Sequence, residues 1–556
     1  MLVGIALWLP VLAQSVTGDR VALVVGNASY KRIPLTNPVN DANGMAQLLK
    51  QAGFQVDAQI DATHDQLQSS VAEFGTRIKD PKVKFALFFY AGHGVQLDWR
   101  NHLIPINAKV MSAEDVRQQS LDISVLLSYM GQVKNKSFLV ILDACREDPF
   151  AGTYRAPVKG LSQFDAPAGS LLAFSTAPGS VARDGEGSNG LYTGHLLREL
   201  AVKGAKIEDA FKRVRLNVRM ESNGQQIPWE STSMEDDIYL FESTRKQLSD
   251  AEQDELLEKE IAAWMRVKSS NDPNRLADFI REYPSGSTSE LAQSRLNRLL
   301  AAQRSQLPSE KLQKIHWFGN GFLNLSTASE ESYTAPMRIA PTPYYLGFDE
   351  FRRNYTAGDE FGFSVINGLS KVAVPLKMQV THVDLDQDRV EYNGGEYVSD
   401  TMGNILKNLR GTFDAPRQFY PAELFLGKKW RTRFKQARSG GLSYTFDYKL
   451  KVVGKEKIKV PAGTFETYKI EARGFNIELG ASIERNIWVS PGINADIAHE
   501  TIVRLPNRKI GIDQFDRQEL VRYSVNKKPA MSPAKIKFAT NNVNKVNYLQ
   551  SASMTP

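Results

Sequence analysis

Four apolar runs constrain this chain more than any other feature: Val21–Val25 (VALVV), Val83–Tyr90 (VKFALFFY), Ser137–Leu142 (SFLVIL) and Ser170–Phe174 (SLLAF). A strand with one wet face alternates apolar and polar residues. These runs do not alternate, so both of their faces must be covered. Between and after them lie stretches of helical periodicity at Val39–Gln51, His64–Lys79, Ile123–Gln132, Leu191–Val202 and Ile207–Glu221. Strand and helix in alternation predict a doubly wound α/β layer with a mainly parallel sheet over residues 18–243.

Past that region the composition changes twice. Residues 244–308 are rich in Glu, Lys, Leu, Ala and Arg, with apolar residues at helical spacing: Leu257, Ile261 and Trp264, then Leu276, Phe279, Ile280 and Tyr283, then Ala292, Leu296, Leu299 and Leu300. Asn271-Asp272-Pro273 and Pro284-Ser285-Gly286 separate three short helices that resemble one tetratricopeptide-like unit. One such unit cannot bury its own face, so it is expected to pack on a neighbouring domain. From 309 to 525 short alternating runs, such as Ser443–Val453, Thr464–Ala472 and Arg485–Val489, predict an antiparallel β-rich domain. Its stretch VPAGTFETYKIEARG, followed by IWVSPGINADI, resembles an uncharacterised class of exported bacterial β domains, which implies a fold and no chemistry.

The ends of the chain are legible from charge and hydropathy. Residues 2–13 are apolar throughout, too short to span a bilayer but matching a signal-peptide core, with Val11 and Ala13 offering a small-residue cleavage site before Gln14. The expectation is a signal peptide over 1–13 and a periplasmic or secreted protein without a membrane span. The alternative is a cytoplasmic protein with an apolar N-terminus. Residues 526–556 hold five lysines and no acid, so +5 of the net charge of +7 sits there. With little aromatic interleaving this reads as a disordered basic tail rather than a nucleic-acid surface. The bulk composition, 42% hydrophobic and 24% charged, excludes a disordered, collagenous or many-span membrane chain. A single cysteine in 556 residues excludes a disulfide scaffold and a thiolate metal cluster.

That cysteine is well placed for chemistry. Cys145 lies three residues past the end of one apolar run, in Asp143-Ala144-Cys145-Arg146, and His93 three residues past the preceding run, in Ala91-Gly92-His93-Gly94. Doubly wound sheets bind ligands outside the carboxyl ends of their strands. A single crossover joins these two strands, which predicts that they are neighbours. A thiolate activated by an adjacent imidazole attacks carbonyl carbon, and the imidazole then protonates the leaving amine. The amides of Gly94 and Cys145 would stabilise the oxyanion, and the glycines beside His93 would let a substrate backbone approach closely. The competing reading is a buried core cysteine and an unrelated loop histidine.

The segments RVALVVGNASY, LTNPVNDANGMAQLLKQAGFQV, FFYAGHG, NHLIPINA, ILDACREDPF and LLAFSTAPG, in that order, resemble caspase-like cysteine peptidases, the bacterial and metacaspase-like branch most closely, over about residues 20–242. The AGHG and DAC motifs stand 52 residues apart, near the spacing caspases show. The resemblance implies His93 as general base, Cys145 as nucleophile and the Gly94 and Cys145 amides as oxyanion hole. Animal caspases read Gln-Ala-Cys with a glycine two places on, whereas this chain has Asp143-Ala144-Cys145-Arg146-Glu147. Asp143, together with Asp41, matches the two acids that line the S1 pocket of metacaspases, which implies cleavage after Arg or Lys. Asp41 as a helix cap is the alternative. The stretch between Cys145 and Leu171 corresponds to the linker that caspases cut, so self-cleavage after Arg155 or Lys159 is expected.

Other motifs carry less. Gly185-Glu186-Gly187-Ser188-Asn189-Gly190 fits GxGxxG but follows a long loop rather than a first strand. Asp384-Leu385-Asp386-Gln387-Asp388 lacks the glycine and glutamate a calcium loop needs and reads as a turn. His64, His102, His195, His316, His382 and His499 show no ligand spacing. No cofactor and no metal are expected, with calcium dependence left open. The expected partners are protein or peptide substrates and a protein partner for the helical and β domains. The alternative to a peptidase is a catalytically silent caspase-fold scaffold acting through those domains.

Overall fold

The computed structural model describes residues 18–134, 136–145, 150, 152–154, 160–177, 187–242, 248–305, 337–438, 440–506 and 513–525. The expected signal segment, Arg155, Lys159 and the basic tail lie outside them. The N-terminal domain runs β1 (Arg20–Gly26), α1 (Pro38–Gln51), β2 (Gln55–Ile60), α2 (His64–Arg77), β3 (Phe85–Leu97), β4 (Arg100–Leu103), α3 (Ala113–Gln119), β5 (Leu121–Asp122), α4 (Ser124–Gly131), β6 (Ser137–Cys145), β7 (Ser170–Phe174), α5 (Leu191–Leu200), α6 (Ile207–Glu221) and β8 (Trp229–Thr232).

The main sheet has the order β2-β1-β3-β6-β7-β8. It is parallel from β2 to β7, and β8 closes it antiparallel. Alternate residues of the apolar runs feed two different cores, which is why the runs do not alternate. Val21, Leu23 and Val25 pack with Leu67, Val71 and Phe74 of α2 and Leu126 and Met130 of α4. Ala22 and Val24 pack on the other face with Met45 and Leu49 of α1, Tyr192 and Leu196 of α5, and Phe211 and Val214 of α6. The expected α/β class is what the fold shows.

Two of the strands run on past the ends of their apolar runs. β3 continues through Ala91-Gly92-His93-Gly94 to Leu97 and turns back as β4. A shift in its register with β6 between Ala91 and Gly94 lets it do so. His93 therefore sits at a bulge within a strand and not on a loop after one, and Cys145 is the last residue of β6.

Three helices follow, α7 (Asp250–Val267), α8 (Pro273–Glu282) and α9 (Ser289–Ser305). Ser249 and Glu252 cap α7 reciprocally, and Asp272 caps α8 through the Asn274 amide at 2.9 Å. The helices do not stand alone. Trp264, Leu276, Phe279, Ile280 and Leu296 share one core with Leu216 of α6 and with Trp430, Phe434, Tyr448, Ile470 and Ile487 beyond them.

Those partners belong to a closed antiparallel barrel of twelve strands, whose first strand (Glu360–Asn367) pairs with its last (Gln514–Ser524). Asp384–Asp388 is the turn between two of its strands, with the amides of Asp386 and Gln387 donating to the Asp384 carboxylate. A small sheet of Arg338–Ile339, Phe348–Glu350 and Glu423–Phe425 joins the barrel side to the N-terminal domain. Phe348 and Phe425 lie 4.5 and 5.8 Å from the Trp229 ring of β8, ring centre to ring centre.

Asp165 ties the same junction, accepting the Leu346 amide at 3.1 Å. Burial lifts its carboxyl to about 6. The fold therefore favours the neutral acid, and the stability it supplies below the ordinary carboxylate range is lost as pH rises through about 6. A rise of this size is worth about 3 kcal/mol at full burial, which partial exposure reduces to about 1–2 kcal/mol. Asp165→Asn should accordingly raise the urea midpoint at pH 7.5 and leave it unchanged at pH 4.

Candidate active site

The carboxyl edge of the sheet collects the candidate residues. Gly26 of β1 is registered with Ala91 of β3, Ala91 with Asp143 of β6, and, past the bulge, Gly94 with Cys145. His93 and Cys145 thus come from adjacent strands at adjacent positions.

The histidine is held from three directions. Its amide donates to the Tyr30 hydroxyl at 2.9 Å, and its carbonyl accepts from the Tyr90 hydroxyl at 2.8 Å and from the Ile104 amide at 3.0 Å. The Tyr30 ring lies 4.3 Å from the imidazole, ring centre to ring centre. Burial holds both tyrosine hydroxyls well above their ordinary pKa, so they stay protonated. On the ring, Nε2 lies 2.8 Å from the Ile33 carbonyl oxygen. A carbonyl only accepts, so Nε2 carries the proton and Nδ1 is the basic nitrogen.

The flanking glycines are required by the chain's own packing. A Cβ at Gly92 would stand 2.8 Å from both tyrosine hydroxyls, and one at Gly94 would stand 2.9 Å from the Ala144 carbonyl oxygen. The chain's own packing needs the space at both positions.

Both acids are buried, Asp41 at 0% and Asp143 at 2% exposed, and both converge on the start of α5. Asp41 Oδ1 accepts from the Asn189 side chain at 2.9 Å and from the Gly190 amide, at the α5 N-cap, at 3.0 Å. Asp143 Oδ2 accepts from the Thr193 hydroxyl at 2.8 Å. Asp41 does not cap the helix after β1. It lies inside α1 and serves the N-terminus of α5. Sequence reasoning missed Ile33, Tyr30, Tyr90, Asn189 and Thr193. Ile33 acts through a backbone carbonyl, which leaves no mark on residue type, and the others act across 50 or more positions, or in Tyr90's case through a bulge no pattern announces.

Part of the chain is similar to known proteins. Residues 19–239 match the family model for the caspase domain. That match spans the N-terminal α/β domain and leaves the three helices and the barrel outside it. Over 214 residues the chain is 27% identical to the human mucosa-associated lymphoid tissue lymphoma translocation protein 1, covering 38% of this chain and 24% of that protein, and its mouse homolog matches to the same extent. The chain thus spans about a quarter of the length of the curated relatives it matches. Among solved structures the Drosophila initiator caspase Dronc is similar at 13% identity and a TM-score of 0.31, over 41% of this chain and 87% of that one. Among the described residues no helix is long and apolar enough to cross a membrane, and no group of three or more His, Cys, Asp or Glu is placed to hold a metal ion.

Proposed function

We propose that this protein is an endopeptidase that cleaves after arginine or lysine, with Cys145 as nucleophile and His93 as general base. The observation that carries this reading is the register of Gly94 with Cys145, which sets the imidazole's strand beside the thiol's. Nδ1 of His93 takes the thiol proton, the sulfur attacks the scissile carbonyl carbon, and the Gly94 and Cys145 amides receive the oxyanion. The imidazolium then protonates the leaving amine, and water activated by the same base hydrolyses the thioester. The carbonyl of Ile33 does what a carboxylate does in a triad: it fixes tautomer and ring orientation. Processing after Arg155 or Lys159 belongs to the same proposal. A purified active enzyme that stays full-length through prolonged incubation counts against it.

Asp41 and Asp143 give the P1 preference. Two carboxylates repel a substrate aspartate and match a planar guanidinium better than an ammonium, so arginine should exceed lysine. Asp41→Asn keeps an acceptor oxygen toward the Gly190 amide and removes the charge. Loss of one partner from a desolvated pair costs about 3–5 kcal/mol, so kcat/KM for an arginyl peptide should fall by about two to four decades. Alkylation of Cys145 by iodoacetamide should continue. Cleavage after aspartate, or unchanged arginine turnover in Asp41→Asn, would show the pocket misassigned.

One observation favours a silent scaffold instead. His93 is fully buried, and Asn189, Gly190 and Thr193 of the same chain hold both acids. A covalent probe bearing a P1 arginine decides between the readings: labelling that disappears in Cys145→Ala identifies the peptidase, and no labelling of the native chain identifies the scaffold.

A further inference from the structure

Inward positions of a closed barrel alternate with outward ones and are filled by apolar side chains. Along the strand Ala481–Val489 the inward set is Ala481, Ile483, Arg485 and Ile487; the three apolar members are 2, 6 and 3% exposed. The fourth is a guanidinium. Its cross-strand neighbours are Ala472 and Thr501, neither of which is an acid.

A second guanidinium meets it inside the barrel. Arg417 belongs to the segment between Phe413 and Glu423, whose Phe419 and Tyr420 pack among the inward-facing residues. Arg417 and Arg485 both lie over the Phe419 ring, at 5.4 and 5.1 Å. The Nε atoms of Arg417 and Arg485, and of Arg438 near the opening, are buried and meet no hydrogen-bond acceptor. Burial first, and the charge of Arg485 second, pull Arg417 down to about 10. The side chains as wholes are half-buried, so it is their inner Nε ends that are cut off from water without a partner, which is costly.

These arginines line a cavity of about 300 Å³ walled by Phe413, Phe434, Phe446 and Tyr448. Asp513 stands at its edge and accepts the Leu505 amide at 2.7 Å. The cavity lining also includes Leu479 and Leu505, exposed by 48 and 39%, and the exposed Leu409 stands between the lining residues Asn408 and Arg410 in sequence. Among the described residues the pocket thus joins an aromatic wall to cationic side chains, with Asp513 in its lining and the charge of Asp496 reaching Arg417.

We propose that this end of the barrel binds an amphipathic anion, an acid head group seated on Arg417 and Arg485 with an apolar body against the aromatic wall and the lining leucines. The site is independent of the peptidase chemistry.

Calorimetric titration of the full-length protein with octanoate, with octanol and inorganic phosphate as comparators, tests it. Sedimentation with phosphatidylglycerol vesicles forms a parallel arm. Saturable octanoate binding, at least about tenfold tighter than octanol or phosphate and weakened about tenfold or more in Arg417→Gln/Arg485→Gln, is expected. Vesicle binding lost in the same variant, in place of octanoate binding, assigns the anion to a bilayer lipid. Without ligand the double variant should melt no lower than the native chain, because two like charges leave a buried site, and octanoate should raise only the native melting temperature. Octanol or phosphate binding as tightly as octanoate, binding retained in the variant, or absence of binding in both arms overturns the proposal. So does a variant that melts well below the native protein, since its arginines are then structural.

Discussion

Cys145→Ala is expected to leave no cleavage of an arginyl peptide above background, and His93→Ala to remove turnover as well, with both variants folded. The chain has no second thiol to substitute for the first. A general base alone is worth about 10²–10⁴ in rate, and the base and nucleophile of such a pair act as a unit, so neither half retains the activity of the other. His93→Ala leaves the backbone clasp intact, because Tyr30 and Tyr90 bond the amide and carbonyl of residue 93 and not its ring. Far-ultraviolet circular dichroism should therefore match the native protein while kcat/KM collapses. Measurable turnover by Cys145→Ala would sink the mechanism.

The second large effect lies away from the site. Arg215 of α6 donates to Glu423 at 2.6 Å and through Nε to Glu230 at 3.3 Å, and its Nη2 makes a second contact with Glu230. All three side chains are nearly buried, at 15, 11 and 9% exposed for Arg215, Glu230 and Glu423. Burial opposes the charge of Arg215, but the two carboxylates overcome it and hold the guanidinium protonated. For Glu423 burial works upward and Arg215 downward, and Arg215 wins. Arg215→Ala would strand two carboxylates face to face at the joint between the N-terminal domain and the barrel, a loss of about 3–5 kcal/mol. Glu423 has a depressed pKa in the native fold, so its contribution is present above the ordinary glutamate range and is lost as pH falls below it. Urea midpoints of native and variant should therefore differ widely at pH 7 and converge toward pH 3. Replacing all three residues by Met, Gln and Gln should recover most of the loss.

What the sequence revealed, and what it withheld, follows from the range of the interactions involved. The four central strands were legible because burial on both faces writes itself into consecutive residues. β2 was not, because Gln55–Ile60 is an exposed edge strand of mixed polarity. β8 was not, because Trp229-Glu230-Ser231-Thr232 is buried yet mostly polar. Gly92 and Gly94 suggested that β3 ends at Tyr90, whereas the bulge carries the strand through them. The proximity of His93 and Cys145 needed only the rule that one crossover joins neighbouring strands. Closure of the barrel could not be read, because it rests on pairing Glu360–Asn367 with a strand about 150 residues later. Arg485 looked like any charged residue in an alternating strand. Only the barrel's curvature turned its side inward.

The contact of Trp229 with Phe348 and Phe425 orders events during synthesis. The N-terminal domain leaves the ribosome first, yet the last piece of its core comes from residues more than a hundred positions downstream. At a translation rate of about 5–20 residues per second, the roughly 180 residues between the end of the domain and Phe425 take about 10–40 s to appear. For that interval β8 has an open flank, and the sheet that carries His93 and Cys145 lacks its cover. Completion of the sheet that carries His93 and Cys145 should therefore be timed by the emergence of the barrel and not by that of Cys145 itself.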